Sequence, residues 1–158
     1  MPTQIDKAMG NERLTAAGAD ARSFADALKA NPGISDVAFS DNIPFSNDLR
    51  TTNVRVPGSA AAEVFRVLPA SPNYFRLYGI RLLAGRFLSD AHGEDFMSMA
   101  KGLGQDSTRT NVLVNASGAR RLGYSPDQAF GKSFYMRNAP VTIVGVVADT
   151  RVDGPKVP

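Results

Sequence analysis

Gly131-Lys132-Ser133 has the residue types of a phosphate-binding loop. Such a loop follows the pattern G-x-x-x-x-G-K-[ST], and its backbone N–H groups surround phosphates at the start of a helix. Here the first glycine of the pattern is replaced by Pro126, which has no N–H. The residues after Ser133, Phe134-Tyr135-Met136, favour a strand over a helix. We therefore interpret Gly131 as a helix stop and Lys132 as a solvated residue, with no nucleotide bound.

His92, the only histidine, lies in an acidic segment with Asp90, Glu94 and Asp95. Carboxylates with one imidazole are suitable ligand types for a metal ion. Their spacing does not match a D-x-D-x-D-G loop, and a single histidine cannot supply an H-E-x-x-H motif. The chain has no cysteine, which excludes thiolate metal sites and a cysteine nucleophile. We predict no metal site and no cofactor.

Other polar residues at the predicted ends of strands have ordinary structural explanations. Arg86 follows Gly85 and could bind an anion, although an arginine there more often extends its charged end to water or binds carbonyls. Asp149 follows an apolar strand, but no second carboxylate can be placed beside it, so a turn is favoured. Asn115 begins an N-x-S sequence with Ser117 and is explained as a helix cap. No catalytic, cofactor-binding or metal-binding residue is assigned, and we predict that the protein is not an enzyme.

Composition indicates an ordinary globular protein. Of the 158 residues 43% are hydrophobic and 21% are charged, and the net charge is +3. Arg120-Arg121 is the only adjacent basic pair, which argues against nucleic-acid binding. No stretch approaches the roughly 20 apolar residues of a membrane helix, and the polar N-terminus is unlike a signal peptide.

The residue pattern predicts an amphipathic helix over residues 12–31, because apolar residues recur every three or four positions from Leu14 to Leu28. We expect this helix to pack on a sheet or to continue from a preceding segment. Residues 1–11 are polar and are predicted to be a disordered or added tail. The pattern then predicts strands over 34–40, 51–56, 63–70 and 80–84, a short helix over 71–78 with Ser71 as its cap, and a long polar loop over 89–110.

Residues 111–150 carry the strongest secondary-structure signal. A strand over 112–114 leads into a helix that begins after Asn115 and ends at Gly123. Ser125-Pro126 starts a second short helix. Strands over 132–137 and 140–148 follow, around a turn at Asn138-Ala139, and the last is predicted to be buried on both faces. The order of elements predicts an α+β fold with a mixed sheet and helices packed on it.

Three groups of residues, in order along the chain, resemble one protein family. The first resembles the family's "PG(V/I)…V…S…(L/I)P" opening, the second its "V.P.YF…GI.LLAGR" core, and the third its "VLVN…LG…A.GK…VGVV.D" segment. In this chain they are Asn31-Pro32-Gly33-Ile34 to Pro44-Phe45, Val67 to Arg86, and Val112 to Asp149. Over residues 12–155 the chain thus resembles the periplasmic core domain of MacB/FtsX-like ABC-transporter permeases.

This resemblance implies a non-catalytic domain, with a porter-like α/β subdomain and a second small subdomain, on the periplasmic side of the bacterial inner membrane. It implies a cytoplasmic ATPase, a second permease protomer and a periplasmic adaptor or client as partners. The domain would couple ATP-driven movement of the membrane helices to efflux or mechanotransmission. The chain stops before the region that usually returns to the membrane, so we expect a soluble segment excised from a membrane protein.

The segment 89–110 is longer than the corresponding family link, which leaves the subfamily and the client open. Together with Arg86, Tyr74 and Phe75, it motivates an alternative function. In that alternative the chain is a free-standing module of the cell envelope that binds or senses a solute or peptide.

Overall fold

The computed structural model describes residues 23–40, 50–92, 95 and 110–150. Residues 23–29 are helical and are called α1. The remaining elements are strands interspersed with short helices without regular alternation, as the α+β prediction requires. In chain order they are β1 (Thr51–Arg55), β2 (Glu63–Arg66), α2 (Tyr74–Leu77), β3 (Leu82–Gly85), β4 (Thr110–Asn115), α3 (Ala116–Arg121), α4 (Pro126–Ala129), β5 (Ser133–Met136) and β6 (Ala139–Val147).

All six described strands form one mostly antiparallel sheet in the order β2-β1-β5-β6-β3, with β4 also paired to β6. β4 runs parallel to β6 from Val141 to Val147 and so occupies one edge of β6. β5 pairs with residues 139–142 of β6, and β3 pairs with residues 145–147. Since β4 occupies the other edge, β3 and β5 lie end to end along the same edge of β6. The resemblance also implied a second small subdomain. The described sheet does not test it, so it stays a prediction.

β6 is the centre of the core, as its apolar sequence predicts. Val141, Ile143 and Val146 are fully buried, and Val144 and Val147 are nearly so. The side chains packed with β6 come from β1, from β5 and from the helices α3 and α4. They include Val54, Phe134, Met136, Ala119, Leu122 and Ala129. Burial on both faces explains why this strand is continuously apolar rather than alternating.

The predicted helix signals after β4 are confirmed. The side chain of Asn115 accepts a hydrogen bond from Gly118 N–H at 2.9 Å and caps α3. Gly123, with φ +87°, follows the end of α3, and Pro126 is the first residue of α4. The hairpin turn between β5 and β6 is one residue earlier than predicted, at Arg137-Asn138, where both φ values are positive as in a type I′ turn.

Residues 34–40 do not form the predicted strand. Ser40 makes only an isolated antiparallel bridge with Ala70. Phe39 N–H donates to the hydroxyl of Ser71 at 3.0 Å, and Phe39 O accepts from Ser71 N–H at 2.8 Å. The alternation of Val37 and Phe39 is misleading because a distant side chain supplies the hydrogen bond that a neighbouring strand would otherwise provide.

The start of α2 also differs from the prediction. The helix begins at Tyr74 after the cap residue Asn73, rather than at Pro72. Ser71 is not the cap because its hydroxyl binds Phe39 N–H and donates to Asn73 Oδ1 at 2.8 Å. β2 is likewise shorter than predicted and ends at Arg66.

The described members of the apolar stripe predicted for the first helix are not buried. Phe24 is 65% exposed and Leu28 is half-buried, whereas the buried residue, Ala25, lies outside the stripe. The helix was predicted over 12–31, and its residues before 23 lie outside the described part, as do most residues of the predicted loop 89–110. Within the described residues no helix has the length and hydrophobicity needed to cross a membrane.

Candidate functional site: polar clusters at the ends of the sheet

The backbone of the Gly131-Lys132-Ser133 motif is used within the sheet. Gly131 N–H donates to Ile143 O at 2.8 Å, and Lys132 N–H donates to Ala129 O at 3.1 Å. β5 begins at Ser133, one residue later than predicted, so no helix starts there. The exposed ammonium of Lys132 lies 5.8 Å from the centre of the Tyr124 ring. The N–H groups of Gly131 and Lys132 therefore already have protein partners.

Arg86 and Asp95 form an ion pair at the end of β3. Arg86 Nη2 donates to Asp95 Oδ1 at 3.0 Å, Arg86 Nη1 donates to Asp95 Oδ2, and Arg86 also binds its neighbour's carbonyl, Phe87 O. The Asp95 side chain is only 1% exposed. The guanidinium is thus engaged by a carboxylate, which leaves it poorly placed to bind an anionic ligand.

Two more donors complete the environment of Asp95. Asn111 Nδ2 donates to Oδ1 at 2.7 Å, and Ser89 N–H donates to Oδ2 at 3.0 Å. Burial by itself raises the pKa of Asp95, but the hydrogen bonds from Arg86, Asn111 and Ser89 outweigh it and lower the pKa below its ordinary value. The buried carboxylate is therefore charged at neutral pH and joins the end of β3 to the start of β4.

His92 is peripheral to this cluster. Its Nδ1 lies 3.9 Å from Asp95 Oδ2, and the imidazole is about half exposed. Both oxygens of Asp95 accept hydrogen bonds from protein donors. Among the residues that the structure describes, no three His, Cys, Asp or Glu side chains are grouped to hold a metal ion.

Asp149 binds the first turn of α3 rather than a turn of its own, so the predicted turn role is wrong. Ser117 N–H donates to Oδ1 and the Ser117 hydroxyl donates to Oδ2, both at 2.8 Å. Arg120 Nη2 donates to the same carboxylate at 3.1 Å. The backbone hydrogen bond from Ser117 is the largest cause that lowers the pKa of Asp149.

The contact between Asp149 and Ser117 could be predicted from the sequence only if the pairing of β4 with β6 were known. Asn115 is the register partner of Val147 in the parallel β4–β6 pair. Ser117 and Asp149 each follow those partners by two residues, so they emerge at the same end of the sheet. For Asn111 and Asp95 no comparable sequence signal exists, because their meeting depends on the path of the chain between β3 and β4.

The alternative function grouped Arg86 with two aromatic residues of α2, Tyr74 and Phe75. Tyr74 is buried, with its ring 5.5 Å from that of Phe75 and 4.5 Å from that of Tyr78. Burial raises the pKa of Tyr74. Arg76, not Arg86, lies near an aromatic ring here, 5.4 Å from the centre of Phe87.

Comparison with known families gives one match over nearly the whole chain. The model of the MacB-like periplasmic core domain matches residues 3–156. A comparison with curated proteins gave no significant match.

Solved structures with a similar fold come from membrane transporters. The periplasmic region of MacB from Actinobacillus actinomycetemcomitans is 19% identical, with a TM-score of 0.55 over 83% of this chain and 51% of that one. A domain described as part of a permease protein from Porphyromonas gingivalis is 20% identical, with a TM-score of 0.50 over 79% and 48%. The extracellular domain of the ABC-type transporter YknZ from Gram-positive bacteria is 15% identical, with a TM-score of 0.48 over 79% and 55%. The chain spans about half the length of these structures, and the first two support the α+β fold.

Proposed function

The chain belongs to the family of MacB-like periplasmic core domains, and from that membership we propose that it is the extracytoplasmic domain of an ABC-type permease. In this proposal the domain couples ATP-driven movement of the membrane helices to efflux or to periplasmic mechanotransmission. The single observation that carries the proposal is the family match over residues 3–156.

The polar clusters agree with a mechanical rather than a chemical role. The carboxylates of Asp95 and Asp149 each accept hydrogen bonds from an arginine side chain and from a backbone N–H group of the same chain. A general acid or base needs a pKa near the working pH, whereas the pKa values of these carboxyls are lowered away from it. Both groups tie the ends of strands to neighbouring elements and so stiffen the domain. We propose that the domain has no chemistry of its own.

The proposed partners follow from the same membership. They are a cytoplasmic ATPase subunit or domain, a second permease protomer, and a periplasmic adaptor or client. The domain would lie on the periplasmic side of the bacterial inner membrane.

A labelling experiment tests the location. The chain has no cysteine, so a single Ser59→Cys in the exposed turn after β1 gives one reactive thiol in this domain. In cells with a permeabilised outer membrane, a membrane-impermeant maleimide should label this variant in the full-length permease without lysis. Labelling only after the inner membrane is broken would contradict the proposal.

A second experiment tests the coupling. The full-length permease is reconstituted with its ATPase, and ATP hydrolysis and transport or client activation are measured together. A Val144→Asp variant, which disrupts the domain core, should lose transport or client activation. Unchanged transport would show that the domain does not transmit movement.

A further inference from the structure

Residues 23–40, called the arm below, are joined to the segment before α2 by a set of polar contacts. The arm contains α1 and the extended stretch that follows it. Ala25 is its only buried residue, and among the described residues the hydrophobic core cluster includes no side chain from the arm. A segment without a share of the core has little apolar area holding it to the sheet.

Asn73, the cap residue of α2, is the centre of the attachment. Its Nδ2 lies 2.9 Å from each carboxylate oxygen of Asp36 and 2.8 Å from Val37 O. Its Oδ1 accepts a hydrogen bond from the Ser71 hydroxyl at 2.8 Å. One amide therefore joins two residues of the arm to the segment that leads into α2.

The remaining contacts surround this amide. Ser71 and Phe39 exchange two hydrogen bonds, one through the Ser71 hydroxyl. Lys29 Nζ lies 3.4 Å from Asp36 Oδ1, with both side chains about two-fifths exposed, and links α1 to the extended stretch. The contacts that involve Asp36 are at the surface, where water can replace each lost hydrogen bond, so their net strength is small.

We propose that the arm detaches from the sheet as a unit, and that Asn73 is the latch that holds it closed. The sheet stays intact when the latch opens, because β6 keeps its three partner strands and its buried side chains. This inference rests on the proposed function in one respect: in a permease, the arm would be the segment whose opening and closing accompanies transport.

Hydrogen exchange of the 158-residue chain tests the latch directly. In Asn73→Ala the amides of Phe39 and Ser71 should exchange about 10-fold faster or more, because local opening becomes more frequent. The amides of Ile143 and Arg86, which donate to Lys132 O and Val144 O within the sheet, should change by less than about twofold. Equal acceleration at all four amides, or none at Phe39 and Ser71, would overturn the proposal.

Two further variants separate the latch from a general loss of stability. Asn53→Ala, an exposed asparagine on β1, is the matched control and should leave the Phe39 and Ser71 amides unchanged. Asp36→Ala should accelerate them, and the double variant Asp36→Ala/Asn73→Ala should exchange little faster than Asn73→Ala alone, because Asn73→Ala already removes the contact with Asp36. Full additivity would overturn the assignment of Asn73 and Asp36 to one latch.

A reversible lock tests the role in transport. Ser40 and Ala70 are bridge partners, and the Ser71-to-Phe39 hydrogen bond beside them indicates a non-hydrogen-bonded pair. Cα atoms of such pairs lie about 4.5 Å apart, within the range of a disulfide. In the cysteine-free chain, Ser40→Cys/Ala70→Cys should form a disulfide that keeps the arm closed.

In the full-length permease with its ATPase, the oxidised lock should lose most transport or client activation and regain it after reduction. Normal activity of the oxidised form would overturn the proposed opening. If the wild-type permease shows no ATP-dependent activity, the proposed function fails instead, and the exchange data still decide whether the latch exists.

Discussion

Gly85 and Gly145 are Cα partners in the β3–β6 pair, and neither position has room for a side chain. A Cβ at Gly145 would lie 2.2 Å from Arg86 O, and a Cβ at Gly85 would lie 2.4 Å from Val144 O. Gly85 also has a φ of +74°, which L side chains rarely adopt. Since the blocking atoms belong to the backbone, a larger residue would force the two strands apart.

Gly145→Ala should therefore lower the free energy of unfolding by about 1–3 kcal/mol, the usual cost of overpacking a core. Urea denaturation followed by circular dichroism measures this change. Gly33→Ala is the control, because a Cβ there meets only the side-chain oxygen of Asn31, at 3.3 Å, and the residue is exposed. A Gly145→Ala protein as stable as Gly33→Ala would contradict the close approach of β3 and β6.

Val144→Asp should unfold the domain. An unpaired charge in a buried strand costs several kcal/mol, against a total stability of about 5–15 kcal/mol. The expected result is loss of the cooperative thermal transition. Lys132→Ala is the comparison and should change stability by no more than about 0.5 kcal/mol, since its side chain is solvated. A folded, soluble Val144→Asp protein would show that this part of β6 is accessible to water.

Asp95→Asn should destabilise the domain at neutral pH by about 1–3 kcal/mol, because the hydrogen bonds that it loses or weakens involve a charged acceptor. Urea denaturation near pH 7 tests this. Asp149→Asn changes a carboxylate that is 43% exposed and should have a smaller effect. Equal losses of stability from the two substitutions would mean that burial does not strengthen the hydrogen bonds of Asp95.

The stability contributed by the Asp95 charge should depend on pH in a defined direction. Its pKa is lower in the folded protein than the ordinary value of 3.8, so the unfolded chain takes up the proton first as the pH falls. The contribution is complete above the ordinary pKa and is lost as the pH falls through the folded-state value. The stability difference between wild type and Asp95→Asn should therefore narrow as the pH falls below 3.8 toward the folded-state value. A constant difference over that range would contradict the lowered pKa.

Arg121 covers part of the terminal strand of the sheet. Its Nη2 donates to Glu63 at 2.9 Å and to Val64 O at 3.1 Å, and its guanidinium lies 4.3 Å from the centre of the Phe65 ring. β2 is the last strand in the order, and Val64 is 58% exposed. Exposed strand edges promote association between chains. Arg121→Ala should therefore increase self-association in analytical ultracentrifugation, whereas Arg120→Ala on the same helix should not.

The elements after Asn111 were predictable because their signals are local. Asn115 caps α3 through Gly118, three residues away, and Pro126 begins α4 directly after its own cap. The apolar run of β6 needs no knowledge of its partners to indicate burial. The one-residue error in the β5–β6 turn arose because Arg137 adopts a positive φ of 49°, which its residue type does not favour.

The errors elsewhere come from contacts between distant residues. The pair Ser71-Pro72 predicts that Ser71 caps a helix, yet the Ser71 hydroxyl binds Phe39, 32 residues earlier. Asp149 reads as a turn residue, yet its partner Ser117 is also 32 residues away. Phe24 belongs to an apolar stripe but is exposed in the described part of its helix. Sequence spacing cannot show such partners, because they depend on how the whole chain is folded.

The position of β6 has a consequence for how the protein is made. β6 is the last strand of the described chain, yet β3, β4 and β5 all pair with it. During synthesis from the N-terminus, β3 and β4 leave the ribosome before the strand that holds them in the sheet. The nascent chain therefore exposes apolar strands until residues up to Val147 have emerged, and this is the interval in which a chaperone would protect it from aggregation.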